Sequence, residues 1–600
     1  MSKNTVPLNQ ARRKQPANEN TPVHVHEMGE SRPGVRQPSY SAGSCPIKFL
    51  GVNKGVFYVI NANGELDDVK RSQIGSRSVL KALFGGENDW LDEAFPKLDK
   101  DGEVSNRPVM QVNDASDWVI AECSKMGLFQ PDMVRGRGVW RDIKGGLIVH
   151  CGDVLYLSSG KEMIRAGEIL DDGWVYPARA PIPKALRPDL DNPATTENMK
   201  VVKEHVESWR FSSISDPVVC LGIMGLICLT GALEKRPTLW LCGPAGAGKS
   251  SLLDFMTIPI GGERAAEKTS DATAAYVRGM LNGAALPIFM DEMEPESGKA
   301  EAATALARLA FSNDQGGVGR SSASQETTLQ QIIAQFVFSS IKHPEPGPQD
   351  EQRIHFVTLR ERVASQEETD RFRDRRERLK ALGPRIWARM ILGYGRFRTN
   401  LAVFESVLGG ATYTARLVDR MAPVLAAYET LMHDEPISSG VARDMISVLG
   451  LEEAPKMDAE FDQCLRRLLT SKVEIYRGGT RPTVGQILVA VVNDRSSEED
   501  GIPDLKYLAE KFLPSIGIKL MRKDRSSFAP WSHFAIASNH EQLNIIYRGS
   551  KWEKGVYRQP FRCLEGAVPD KVVNFGGSAC RATVVPIEYV IPTVPDGDDI

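Results

Sequence analysis

Along residues 199–350, short unbroken apolar runs alternate with longer stretches in which apolar positions recur every three or four residues. That alternation predicts a mostly parallel sheet with helices on both faces, an α/β core. The runs TLWLC at Thr238–Cys242, LPIFM at Leu286–Met290 and QFVFSS at Gln335–Ser340 have the length and continuity of strands buried on both faces. Upstream, residues 46–191 carry shorter runs broken by Gly, Asn and Asp turns, such as FLGVNKGVFYVIN and GGLIVHCGDVLYL, with helical patterns at SRSVLKALF and ASDWVIAECSKMG. This reads as a smaller strand-rich α+β domain, followed by the linker RPDLDNPATTEN. Downstream, residues 351–453 read as a helical lid and bundle. Residues 454–600 pass from FDQCLRRLL and PTVGQILVAVV through LKYLAEKFLPSIGIKL to short strands, a winged-helix-like or α+β pattern. The first 45 residues are rich in Pro, Asn, Ser and Arg without apolar periodicity, which predicts a disordered tail. The longest apolar run, Pro217 to Leu233, is interrupted by Gly222, Gly225 and Gly231 and leads into the first core strand. It predicts a buried helix rather than a membrane span.

Composition narrows the class without naming an activity. The 600 residues are 42% hydrophobic and 25% charged, as in soluble globular proteins, and allow roughly two to four domains. A net charge of −3 means that any nucleic-acid contact must come from local basic patches. The nine cysteines are scattered singly, with no C-x-x-C pair and no leader pattern, which predicts a reducing, cytoplasmic setting and no zinc module. His24 and His26 in VHVH fall short of a metal site.

The chemistry begins at Gly243–Ser250, GPAGAGKS, which fits G-x-x-x-x-G-K-[ST] between a predicted strand and a predicted helix. Glycines allow the tight turn and the close approach of backbone N–H groups to a polyphosphate. Gly243, Pro244, Ala245, Gly246, Ala247, Gly248, Lys249, Ser250 and the following Ser251 are therefore the candidate seat of ATP. Lys249 would reach the β- and γ-phosphates, and Ser250 would offer its hydroxyl to Mg²⁺. About 42 residues after Lys249, the strand LPIFM ends in Asp291-Glu292. Asp291 is placed to hold the magnesium ion and Glu292 to polarise the attacking water, a pairing that favours hydrolysis over transfer. A GTPase base motif, N/T-K-x-D, is missing at a fitting position, and small-metabolite kinases usually lack paired acids.

Three further features are candidates around this pair. Ser339 and Ser340 end the third apolar strand, where a hydroxyl could sense the γ-phosphate. Arg353 lies between a loop and another strand, where it could reach the ATP of a neighbouring subunit. Arg320 follows Gly316, Gly317 and Gly319 in a turn that fits either a nucleic-acid backbone contact or a surface hairpin. Arg385 and Arg389, in the arginine-rich stretch from Arg360 to Arg398, are also candidates for strand contact, although Arg and Glu at helix-pair spacing equally describe a solvated lid helix.

Together GPAGAGKSSLL, TSDATAAYVRGMLNGAALPIFMDEMEP, the glycine-arginine turn, the hydroxyl strand and ARLVDRMAPVLAAYETLM resemble the ATPase module of phage- and mobile-element-type primase-helicases. These are P-loop ATPases close to superfamily 3 helicases within the AAA+ class, and the resemblance covers roughly Val201 to Met432. It implies a hexameric ring, Mg-ATP, single-stranded DNA as partner, Ser339 or Ser340 as sensor and Arg353 as a finger reaching the neighbour. Superfamily 3 proteins usually end the sensor strand in Asn, where this chain has Ser339 and Ser340. No paired acids with metal-ligand spacing mark a primase upstream. The competing class is a nucleotide-controlled interaction protein, favoured by the near-neutral charge and by the lack of a basic aromatic platform.

Overall fold

The computed structural model describes residues 35–39, 43–86, 89–104, 109–157, 162–170, 173–262, 267–268, 273–295, 298–312, 318–321, 327–330, 332–344, 350, 352–361, 365–409, 413–450, 457–475, 481–494, 504–523, 529–550 and 552–591. The tail 1–34, with His24 and His26, and Gly316 and Gly317 lie outside them. The chain forms two compact units, one of residues 1–343, 353–404 and 419–439, the other of 344–352, 405–418 and 440–600.

The first unit opens with an antiparallel meander of β1 (Lys48–Asn53), β2 (Val56–Ile60) and β3 (Leu66–Lys70). Helices Arg77–Leu83, Trp90–Ala94 and Val112–Lys125 join it around Trp90, which stacks on Phe84 and tilts against Trp118. A second antiparallel sheet follows, β4 (Gly138–Arg141), β5 (Leu147–His150), β6 (Val154–Leu157) and β7 (Glu162–Arg165), in that spatial order.

Next comes the parallel core. Its strands are β8 (Thr238–Cys242), β9 (Glu267–Lys268), β10 (Ile288–Met290) and, after the two-stranded β11 (Val318–Ser321) and β12 (Thr327–Gln330), β13 (Phe336–Ser340) and β14 (Ile354–Thr358). Their spatial order is β14-β8-β13-β10-β9 and every neighbouring pair is parallel. All residues of β8, β10 and β13 are buried, which is why these stretches are near-continuously apolar rather than alternating. The fifth strand, IHFVT, lies beyond the expected core limit at residue 350, because its apolar residues pair with β8 rather than with the helices that follow.

The run Pro217–Leu233 forms the helix Asp216–Ile227 and a short 3-10 turn at Thr230–Ala232, nearly all of it buried. Gly222 and Gly225 let it approach the helix Ala415–Met432: a Cβ at Gly222 would stand 2.3 Å from the Val424 carbonyl oxygen. The helix Gln366–Lys380 begins at a capping box formed by Ser365 and Glu368.

In the second unit, helices Met457–Thr470 and Val484–Val492 and a helical run over 505–515 pack on an antiparallel sheet of β15 (Ile518–Arg522), β16 (Trp531–Ala537), β18 (Ser578–Pro586) and β17 (Val568–Phe575), in that spatial order. Phe461, Leu488, Phe512, Phe534 and Tyr557 are among its core residues. No helix among the described residues is long and apolar enough to cross a membrane.

Candidate functional site

The connection leaving β8 runs to β9 on one side of the sheet, and the connection leaving β13 runs to β14 on the other. In open α/β sheets such a reversal is the usual place of a ligand crevice, here at the C-terminal ends of β8 and β13. Residues 243–248 turn there into the helix Lys249–Thr257. Gly243 has φ +149°, and a Cβ on it would stand 2.4 Å from the Leu359 carbonyl, because Leu359 N–H donates to Cys242 O at 2.8 Å and holds the end of β14 against the loop. Gly246 and Gly248 have φ +80° and +89°, values that residues with a Cβ rarely adopt. Pro244, Ala245 and Gly246 are exposed, Ala247 is buried and Ser251 half-buried. Lys249 Nζ donates to Gly243 O at 2.6 Å and Pro244 O at 3.0 Å, so its ammonium lies along the loop. Below it, burial pushes the Cys242 thiol up to about 11, which keeps it neutral.

The acids arrive from β10, two strands away. Ser250 Oγ donates to Asp291 Oδ2 at 3.0 Å. Asp291 Oδ1 accepts from Glu292 N–H at 2.9 Å and from the Ser339 hydroxyl. The carboxylate is thereby held between the helix N-terminus and the end of β13. Glu292 has φ +59°, in the left-handed region, and is exposed beside this crevice.

The two serines of β13 separate cleanly, because successive strand side chains point to opposite faces. Ser339 faces Asp291. Ser340 instead accepts from Trp240 Nε1 at 2.9 Å and donates to Lys342 O at 2.6 Å, so its hydroxyl is engaged within the sheet rather than turned to the crevice. Ser340→Ala is expected to leave the fully buried Trp240 N–H without its acceptor and to cost about 1–3 kcal/mol. Thermal melting would check this.

The arginines do not gather at this crevice. Arg353 precedes β14, at the opposite end of the strands from the crevice, largely buried, its guanidinium 5.6 Å from the Phe311 ring centre. Arg389 departs from the expectation of strand contact. It is buried, donates to Leu431 O at 2.7 Å and Ala194 O at 3.0 Å, and pairs with Asp434 at 2.7 Å, so it ties helices together. Arg385 is half-buried and donates to Asn192 O at 3.0 Å. Arg320 lies in β11, and its side chain is outside the described residues.

Two residues that sequence reasoning passed over shape the site. Trp209 Nε1 donates to Gly248 O at 3.1 Å, and its indole lies against Phe372 and His205. Glu294, the third acid of DEME, accepts from backbone N–H groups of the turn after β13. The spacing of DEME was the available signal, since a third acid two residues on lies at the same strand end.

A glycine-built, partly exposed loop at a helix N-terminus is of the kind that seats phosphate. Gly243 and Gly248 each stand where a Cβ would collide with a neighbour, and Gly246 faces space with nothing within 4 Å. The Ser250 hydroxyl and Asp291 carboxylate are hard oxygen donors of the kind Mg²⁺ takes alongside substrate phosphates.

No family model matches the chain, and no curated protein matches it. Among solved structures it is similar to one described as "SCCmec type IV Cch - active helicase", at 13% identity and a TM-score of 0.40, covering 94% of this chain and 99% of that one. It is also similar to the apo NrS-1 C-terminal region, at 11% identity and a TM-score of 0.33, covering 90% of this chain and 96% of that one.

Proposed function

We propose that the chain hydrolyses Mg-ATP at the crevice between β8 and β13 and, assembled as a ring, uses that hydrolysis to move single-stranded DNA, as a helicase of a phage, prophage or plasmid type. The observation that carries the reading is the meeting of Lys249, Ser250, Asp291 and Ser339, with Glu292 beside them, at one end of a parallel sheet whose strands, counted along the chain, stand in the order 5-1-4-3-2. In this reading the exposed loop residues 244–246 and the helix N-terminus seat the phosphates, and Lys249 turns from its carbonyls to the β- and γ-oxygens. Mg²⁺, held by Ser250 and Asp291, would neutralise phosphate charge. Glu292 orients the attacking water and takes up its proton, while Ser339 keeps Asp291 aimed at Ser250.

Arg353 enters only from a second copy. Its own β14 separates it from the phosphate loop by about five residues of strand, on the order of 16 Å. The trans-finger role therefore belongs to the ring assembly, and the buried place of Arg353 requires its guanidinium to swing off Phe311 on assembly.

The alternative, a nucleotide-controlled assembly protein, gains from one observation: Arg389 and Arg385 make their contacts within the fold. ATP turnover with and without single-stranded and duplex DNA discriminates the two. The helicase reading expects at least several-fold stimulation by single strands, weakening as salt rises. Basal turnover indifferent to every polynucleotide would remove it and leave the alternative.

A further inference from the structure

We propose that Glu294 is a positioning residue of the hydrolytic site, acting through the turn that leaves β13; the proposal rests on reading Asp291, Glu292 and Ser339 as that site. Glu294 closes the sequence Met290-Asp291-Glu292-Met293-Glu294. Its Oε1 accepts from Ile341 N–H at 2.6 Å and its Oε2 from Lys342 N–H at 3.3 Å. Both donors belong to the turn directly after Ser339 and Ser340. One step back, Met293, whose side chain is fully buried, donates its N–H to Ser339 O at 2.8 Å.

Ser339 is thus bracketed. On one side its carbonyl is fixed by the Met293 backbone, and on the other the turn it leads into is held by a carboxylate on two consecutive N–H groups. Bonds to an ionised acceptor are about twice as strong as neutral ones. The same turn is pinned from beneath by Ser340, whose hydroxyl links Trp240 Nε1 to Lys342 O.

The consequence falls on Glu292. It sits in the left-handed region between two anchored residues. Asp291, before it, is fixed by Ser250 and Ser339. After it come Met293, fixed to β13, and Glu294, fixed to the turn that leaves β13. The direction of the Glu292 side chain is therefore set from both flanks, and the downstream flank depends on the Glu294 carboxylate. Loss of that carboxylate leaves the phosphate loop intact and loosens the base, so the effect belongs in the chemical step and not in nucleotide affinity. A displacement of about 1 Å at a reacting group is enough for a loss on the order of 10²-fold.

The test compares wild type, Glu294→Ala, Glu294→Gln and Glu292→Gln for kcat and KM in ATP hydrolysis, for binding of a fluorescent ADP analogue with Mg²⁺, and for melting temperature. Glu294→Ala is expected to lose about 10- to 100-fold in kcat while KM and analogue affinity stay within about threefold and the melting temperature within a few degrees. Glu294→Gln should recover part of the loss, because its amide oxygen can accept one of the two bonds while its NH₂ cannot accept the other. A wild-type rate in Glu294→Ala beside an inactive Glu292→Gln overturns the proposal alone. Equal losses in affinity or melting temperature also overturn it, since they mark a merely structural residue. Absence of turnover in the wild type overturns the hydrolytic reading itself.

Discussion

Glu292→Gln is expected to bind ATP as tightly as the wild type and to hydrolyse it about 10²- to 10⁴-fold more slowly, the range for loss of a general base. The substitution keeps the side chain's size and its exposed position, and it removes only the charge that takes up the water's proton. Lys249→Ala is the complementary case. Lys249 supplies an ammonium where phosphate charge must be neutralised, so its loss should abolish binding as well as turnover. Equilibrium binding of a non-hydrolysable analogue, measured beside phosphate release, separates the two. Normal phosphate release by Glu292→Gln would place the base elsewhere, and undiminished binding by Lys249→Ala would remove the phosphate-loop reading.

The second large effect concerns stability. Gly222→Ala should be strongly destabilising although alanine is the better helix former. The gain in helix propensity is about 1 kcal/mol, but the added Cβ would stand 2.3 Å from the Val424 carbonyl oxygen and 2.6 Å from its side chain. Both belong to a buried helix that cannot yield without opening the packing around it. Overpacking of this kind typically costs about 1–3 kcal/mol and more where backbone must move, so the clash outweighs the propensity gain. Gly279→Ala is the control. It lies exposed in the helix Ala274–Leu281 with nothing within 4 Å of its Cβ position, and the same substitution there should stabilise by about 0.5–1 kcal/mol. Thermal melting should show the two variants moving in opposite directions. A Gly222→Ala protein melting at or above wild type would contradict the close helix contact.

Periodicity and glycine placement carried the parts of the fold that are local in sequence. TLWLC is a strand because five consecutive buried positions leave no polar face, and GPAGAGKS turns into a helix where its glycines take positive φ. The helix in Pro217–Leu233 was likewise legible from its apolarity, and its Gly222 and Gly225 reflect the close contacts with Val424 and with Ala427 and Leu431. Pairings across long sequence separation were not legible. Nothing in FVFSS distinguishes Ser339 from Ser340, because the distinction arises from which face meets Asp291 and which meets Trp240. Arg389 looks like its neighbours in an arginine-rich stretch, and only the return of residues 431 and 434 to its side shows that it is an interior clasp. IHFVT was readable as a strand, but its place beside β8, on the far side from β13, is a matter of topology.

That strand order has a consequence during synthesis. β8 ends flanked by β13 and β14, the last two core strands to be made, so the apolar segment holding Trp240 emerges with neither neighbour available. Roughly 90 residues separate it from β13, which at about 5–20 residues per second is a wait of roughly 5–20 s. Throughout that interval the nascent chain carries a strand that is buried along its whole length in the finished fold but has neither ladder partner, until first Phe336–Ser340 and then Ile354–Thr358 are made.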